Sequence, residues 1–208
     1  MKTLLIPCYF PSVSQYVAMV QASEIHFEIE DHFQKQTNRN RMYIYSPNGK
    51  QLLNVPIKHH AQNNHQKSKD VKIEYAFDWQ KQHFKSLEAA YRSSPFFEFF
   101  EDDILPIFEK KPTFLLDLNL EIFEFLKKSM SAALNYSTTT EYFHTPTDFM
   151  DLRTLANGKK DLTQLTPYTQ VFEDKHGFIN NLSILDLLFN EGRYTLDYLK
   201  KHPFPTLL

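Results

Sequence analysis

RMYIYSPNGKQLLNVPI, residues 41–57, places two β-rich runs on either side of Pro47-Asn48-Gly49. Proline restricts φ and Asn-Gly accepts positive φ, so the two runs are predicted to pair as a hairpin. If the extended conformation begins at Arg39, side chains alternate from there. Met42 and Ile44 then face the core, while Arg39, Arg41, Tyr43 and Tyr45 share the other face.

Working outward, TLLIPCY (3–9) reads as a buried first strand cut by Pro7 into a loop. SVSQYVAMVQAS (12–23) spaces Val13, Tyr16, Val17 and Val20 as a helix does. IHFEIE (25–30) alternates strictly, with Ile25, Phe27 and Ile29 on one face. After the hairpin, residues 59–70 are polar and read as a mobile loop, and VKIEY (71–75) returns to the sheet. From Asp78, an expected N-cap, the period becomes helical and stops against Pro95. PFFEFFEDDILPIFE and TFLLDLNLEIFEFLKKSM continue the helical middle. NYSTTTEY (135–142) reads as a strand, DFMDLRTLANG (148–158) as a short helix, and residues from 184 as a helix closed by Gly192.

The expected architecture is α/β: one domain over residues 1–208, with a mixed sheet that includes the hairpin, flanking helices and a helical centre. The 208 residues include 19 Phe and 11 Tyr but only 4 Gly, which is a globular composition. Net charge is −2, which argues against general binding to nucleic acid. The apolar run at the start is interrupted by Pro7 and Pro11, too short for a signal-peptide core, and no other stretch reads as a membrane span. The single Cys8 excludes an internal disulfide and fits the cytoplasm, the expected location.

Several residues carry candidate chemistry. Two guanidinium forks and two phenols on one face would suit a phosphate or carboxylate on a polar, stackable ligand. A solvated outer face explains the same pattern, and spacing alone favours it. Trp79, His83, Leu87 and Ala90 form one stripe, so His83 is either a buried general base or a satisfied core histidine. Ser183 and Asp186 have capping-box spacing, with Leu182 and Leu187 at staple positions, so Asp186 reads first as a cap and second as a catalyst. Asp117 and Asn119 interrupt an apolar helix and are either inward-facing or on its wet side. His59, His60 and His65 lack the spacing of a zinc motif, so no metal is expected. Cys8 reads as a small buried side chain.

Taken in order, PCYFPSVSQY, the RNR element, PNGKQLLNVPI, DWQKQHFKSLEAAYRSSPFF, LLDLNLEI, PYTQVF and LSILDLLFNEG resemble the WbqC-like protein family. The resemblance implies a bacterial cytoplasmic protein associated with O-antigen and other surface-polysaccharide biosynthesis. Its implied activity is that of a transferase placing an acyl or aminoacyl group on an amino sugar. The alternative is a non-catalytic sugar-phosphate-binding or scaffold protein in the same pathway.

Carried over residue by residue, Arg39, Asn40 and Arg41 match the family's RNR element, and Trp79 with His83 its Trp-x-x-x-His element. Tyr168 and Gln170 match its Tyr-x-Gln element, and Asp186 lies in the last motif. His83 and Asp186 are then the catalytic candidates. Arg39, Asn40, Arg41, Tyr43, Trp79, Tyr168 and Gln170 would bind a small molecule, a phosphorylated sugar or nucleotide sugar. No cofactor is specified. Ile6 stands where the family has glutamine, and Thr166-Pro167 replaces its usual His-Pro.

Overall fold

The computed structural model describes residues 1–58 and 66–205. His59, His60 and His65, and most of the expected loop, lie outside the described residues. Strands β1 (Lys2–Leu5), β2 (Glu24–Phe27), β5 (Tyr136–Thr138) and β6 (Met150–Asp151) form a parallel sheet in the order β5-β2-β1-β6. The hairpin β3 (Arg41–Ser46) and β4 (Gly49–Asn54) is present and forms a two-stranded sheet of its own. Around them pack α1 (Val13–Gln21), α2 (Trp79–Tyr91), α3 (Phe97–Glu109), α4 (Leu115–Ser129), α5 (Glu173–His176), α6 (Ile184–Glu191) and α7 (Thr195–Lys201).

Sequence accounts for most of this. β1 has three fully or nearly buried residues of four, as a strand covered on both faces requires. Trp79, His83, Leu87 and Ala90 are all buried on α2, and Leu115, Leu118, Ile122 and Leu126 on α4. These join one continuous apolar core with Tyr9, Tyr16, Phe27, Tyr91 and Phe189. The hairpin turns at Gly49, which has φ +93°, and Met42 and Ile44 face inward as expected.

Four local expectations are corrected. Residues 148–158 form no α-helix: Thr3 pairs with Met150, and the Leu152 N–H donates to the Leu4 carbonyl. The Asp151 carboxylate accepts the Arg153 N–H, and this Asx turn ends the strand before a single 3-10 turn, Arg153–Ala156, which is all of the expected helix that forms. VKIEY does not rejoin the sheet and makes only single bridges, Ile57 with Ile73 and Lys72 with Phe114. Asp78 precedes α2 without a side-chain capping bond.

The fourth concerns the expected shared face. Arg39 precedes β3 and is buried, and Tyr45 is fully buried with its hydroxyl on the Phe172 and Gly177 carbonyls. Only Arg41 and Tyr43 stay partly exposed.

The chain runs from β1 to β2 on one side, then β5 beyond it, and finally returns to β6 on the other side of β1. The order therefore reverses between β1 and β6. In open parallel sheets such a reversal leaves a crevice at the carboxyl ends of the strands, where ligands bind.

Candidate functional site at the carboxyl edge of the sheet

At that edge lies a polar cavity of about 210 Å³ lined by Ile6, Asp31, Gln34, Arg39, Tyr142, Asp151, Arg153, Thr154, Asn157 and Lys160. Ile6 immediately follows β1, and Asp151 and Arg153 end and follow β6. The sheet places these groups without any glycine-rich loop.

Two anchored cations dominate the wall. Arg39, 4% exposed, pairs with buried Asp31 and donates from Nη1 to Thr37 at 3.2 Å. Arg153 grips Asp151 through two parallel bonds, Nε to Oδ1 at 2.9 Å and Nη2 to Oδ2 at 2.7 Å. Its Nη1 donates to the Phe143 carbonyl at 2.8 Å, and its guanidinium lies 5.2 Å from the Tyr142 ring centre. Hydrogen bonding to Arg153 holds the Asp151 carboxyl below its ordinary value although burial works against it. Lys160 is exposed on the rim. Buried Glu28 stands 3.6 Å from Arg153 Nη1, so three carboxylates balance the three cations and both arginines are fixed in place.

The motif residues are distributed elsewhere. Of the nine candidates, Arg39 alone lines this cavity. Arg41 lines a separate crevice of about 10 Å³ with Phe10, Asn38, Tyr43 and Ser183, and its Nε lies 3.3 Å from Asn54 Oδ1. Asn40 donates to Asn54 Oδ1 and to the Val55 carbonyl. Tyr43 carries the Lys50 ammonium over its ring. Trp79 is buried against Tyr75 and His83.

His83 Nδ1 lies 2.8 Å from the Tyr9 hydroxyl. Burial lowers its pKa to about 4, while a backbone hydrogen bond with Asn54 pulls the other way. Such a depressed pKa keeps the imidazole neutral at pH 7.

Asp186 is no capping residue either. Ser183 Oγ does cap α6 by accepting from the Leu185 N–H, but the Asp186 carboxylate points into the core. It receives Tyr91 at 2.8 Å, Tyr168 at 2.7 Å and Gln170 at 2.8 Å. Burial pushes its carboxyl up from the ordinary value, and the three donated bonds pull it back. Gln170 also bridges both backbone groups of Ile179. These residues lock α2, α6 and the segment before α5 together.

A larger cavity, about 460 Å³, is apolar and lies between Phe96, Phe99, Phe100 and Met130 at the end of α4. A small cavity beside the polar one shares Ile6 and Arg39 with it and reaches the start of α4 at Leu115 and Leu116. The intervening length of α4 is roughly 20 Å at 1.5 Å per residue. The apolar cavity is therefore not an extension of the polar one.

Sequence reading missed Asp31, Gln34, Tyr142, Asp151, Arg153, Thr154, Asn157 and Lys160. The available signal was DLRTLANGKK, where charged and amide groups cluster after what proves to be a strand.

Fold and site together define an open parallel α/β protein with an arginine-lined polar crevice at its topological switch point. The chain belongs to the WbqC-like protein family, whose profile matches residues 7–157. That range includes Arg39, Asp151 and Arg153 and stops short of Tyr168, Gln170, Asp186 and Lys160. No curated protein and no solved structure matches the chain. No helix among the described residues is long and apolar enough to cross a membrane, and none of their His, Cys, Asp and Glu side chains group as a metal site.

Proposed function

We propose that this protein binds a phosphorylated sugar in the cavity at the carboxyl edge of its parallel sheet, and serves surface-polysaccharide biosynthesis by doing so. The process comes from the family resemblance. The observation that carries the ligand class is the pair of buried or half-buried arginines, Arg39 and Arg153, each held by a carboxylate on the wall of one cavity. Guanidinium groups present planar donors suited to phosphate oxygens, and fixing them beforehand lowers the ordering cost of binding. Gln34, Thr154 and Asn157 supply the neutral donors and acceptors that sugar hydroxyls need. About 210 Å³ is below the roughly 300–1,000 Å³ of drug-sized sites, so a nucleotide sugar would leave its nucleoside outside.

Binding without catalysis is the form of this function favoured by the state of His83, which is enclosed and weakly basic. Transfer of an acyl or aminoacyl group onto an amino sugar would instead need a proton acceptor from the cavity itself, where Asp31 and Asp151 are both ion-paired. Calorimetric titration with glucosamine 1-phosphate, glucosamine 6-phosphate and UDP-N-acetylglucosamine tests the ligand class. Saturable binding weakened by Lys160→Ala supports it, and absence of binding by all three overturns it. Incubating the bound sugar phosphate with acyl donors and reading its mass separates the two forms.

A further inference from the structure

Beneath the arginine wall, three polar atoms stand without a hydrogen-bond partner among the described residues: Arg39 Nε, Ser68 Oγ and Asn119 Oδ1. They come from three separate parts of the chain, yet their residues all line one cavity of about 10 Å³. The other walls include Ile6, Pro7, Leu115 and Glu28. A volume near one solvent-probe sphere, with two to four polar partners, is what a single buried water requires. Leaving each such buried atom unpaired is costly, which favours a bridging water.

We propose that one ordered water bridges Arg39 Nε, Ser68 Oγ and Asn119 Oδ1, and that Ser68 and Asn119 are thereby positioning residues for the Arg39 guanidinium. This rests on the assignment of Arg39 to the sugar-phosphate site. The chemistry of the three atoms is complementary. Asn119 Nδ2 donates to the Pro7 carbonyl at 3.1 Å and the Arg39 carbonyl at 2.9 Å, which fixes the amide and leaves Oδ1 as an acceptor. Arg39 Nε–H can only donate, and the Ser68 hydroxyl can do either. Water can accept from Nε–H, donate to Oδ1 and meet Ser68 in whichever sense remains.

Glu28 does not compete for the water. Its Oε1 takes Thr139 Oγ1 and the Glu30 N–H, and its Oε2 faces the Phe143 N–H and Arg153.

The bridge determines what a ligand meets. A guanidinium has five N–H donors. On Arg39, Nη1 reaches Thr37, Nη2 reaches Asp31, and Nε is directed to the water. One donor on each Nη then remains, a fixed pair suited to a phosphate. Ser68 holds the side of Arg39 remote from the ligand, so it acts on affinity through orientation.

The test has two arms. A crystal structure of the wild-type protein at high resolution is expected to show density within hydrogen-bond distance of all three atoms; a dry cavity there overturns the bridge. In solution, Ser68→Ala is expected to weaken orthophosphate binding several-fold with Tm unchanged, and Ser68→Thr, which keeps the hydroxyl, to retain it. Wild-type affinity in Ser68→Ala overturns the positioning role. Density in the crystal with no phosphate binding by the wild type would support the bridge and overturn the anion site instead.

Discussion

Tyr91 and Asp186, 95 positions apart, are joined by a 2.8 Å hydrogen bond in a fully buried setting. The Tyr91 hydroxyl also accepts from the Tyr45 N–H at 3.0 Å, so one phenol ties the hairpin to α6. The buried Asp186 of the last motif thus holds elements of the fold together.

Tyr168→Phe follows from that arrangement. It removes one of three donors to a buried carboxylate and should cost about 1.5–3 kcal/mol at neutral pH. Tyr168 lowers the Asp186 pKa, so its loss raises that pKa further. The deficit should shrink in acid, where the carboxyl is protonated in both proteins. Urea unfolding at pH 7 and pH 4 measures it; an equal deficit at both would show that Asp186 does not carry the charge.

His83 gives the opposite test. Its pKa falls from an ordinary 6.5 to about 4 on folding, so the native state keeps it neutral. Its contribution is fully present above pH 6.5 and is lost as pH falls toward 4, by about 3 kcal/mol. His83→Gln should flatten the decline in unfolding free energy across that window. An unchanged slope would place the acid sensitivity elsewhere.

Arg153 and Arg41 should separate in binding. Arg41→Ala is expected to leave sugar-phosphate affinity unchanged, because Arg41 faces a different crevice. Arg153→Lys keeps the charge but loses the planar fork, and should weaken binding by roughly one hydrogen bond to a charged group, about 1.5–3 kcal/mol. Calorimetry on the two variants checks the order.

Gly192 closes α6 at φ +53°, and a Cβ there would sit 2.5 Å from the Phe96 ring. Gly192→Ala combines an unfavourable backbone with a clash against a ring, so a loss of about 1–3 kcal/mol is expected in thermal or urea unfolding.

Much of the fold was legible. The 41–57 stretch specifies its hairpin through Pro47-Asn48-Gly49, and α2 is readable from the Trp79–His83–Leu87 stripe. The site was not legible, because its walls depend on β6, whose two residues are too short for a periodic signal. Without β6, nothing in the sequence says that Arg153 lies across from Arg39. Asp186 misled for a related reason: capping-box spacing is local, whereas its partners Tyr91 and Tyr168 arrive from distant segments.

The brevity of β6 has a mechanical consequence. The Arg153 side of the crevice hangs on the sheet by two paired residues and the Leu152 N–H, the shortest pairing in the ladder. A phosphate spanning Arg39 and Arg153 would tether the end of β6 to the segment that leads into the hairpin, so occupancy and the integrity of that sheet margin would rise and fall together.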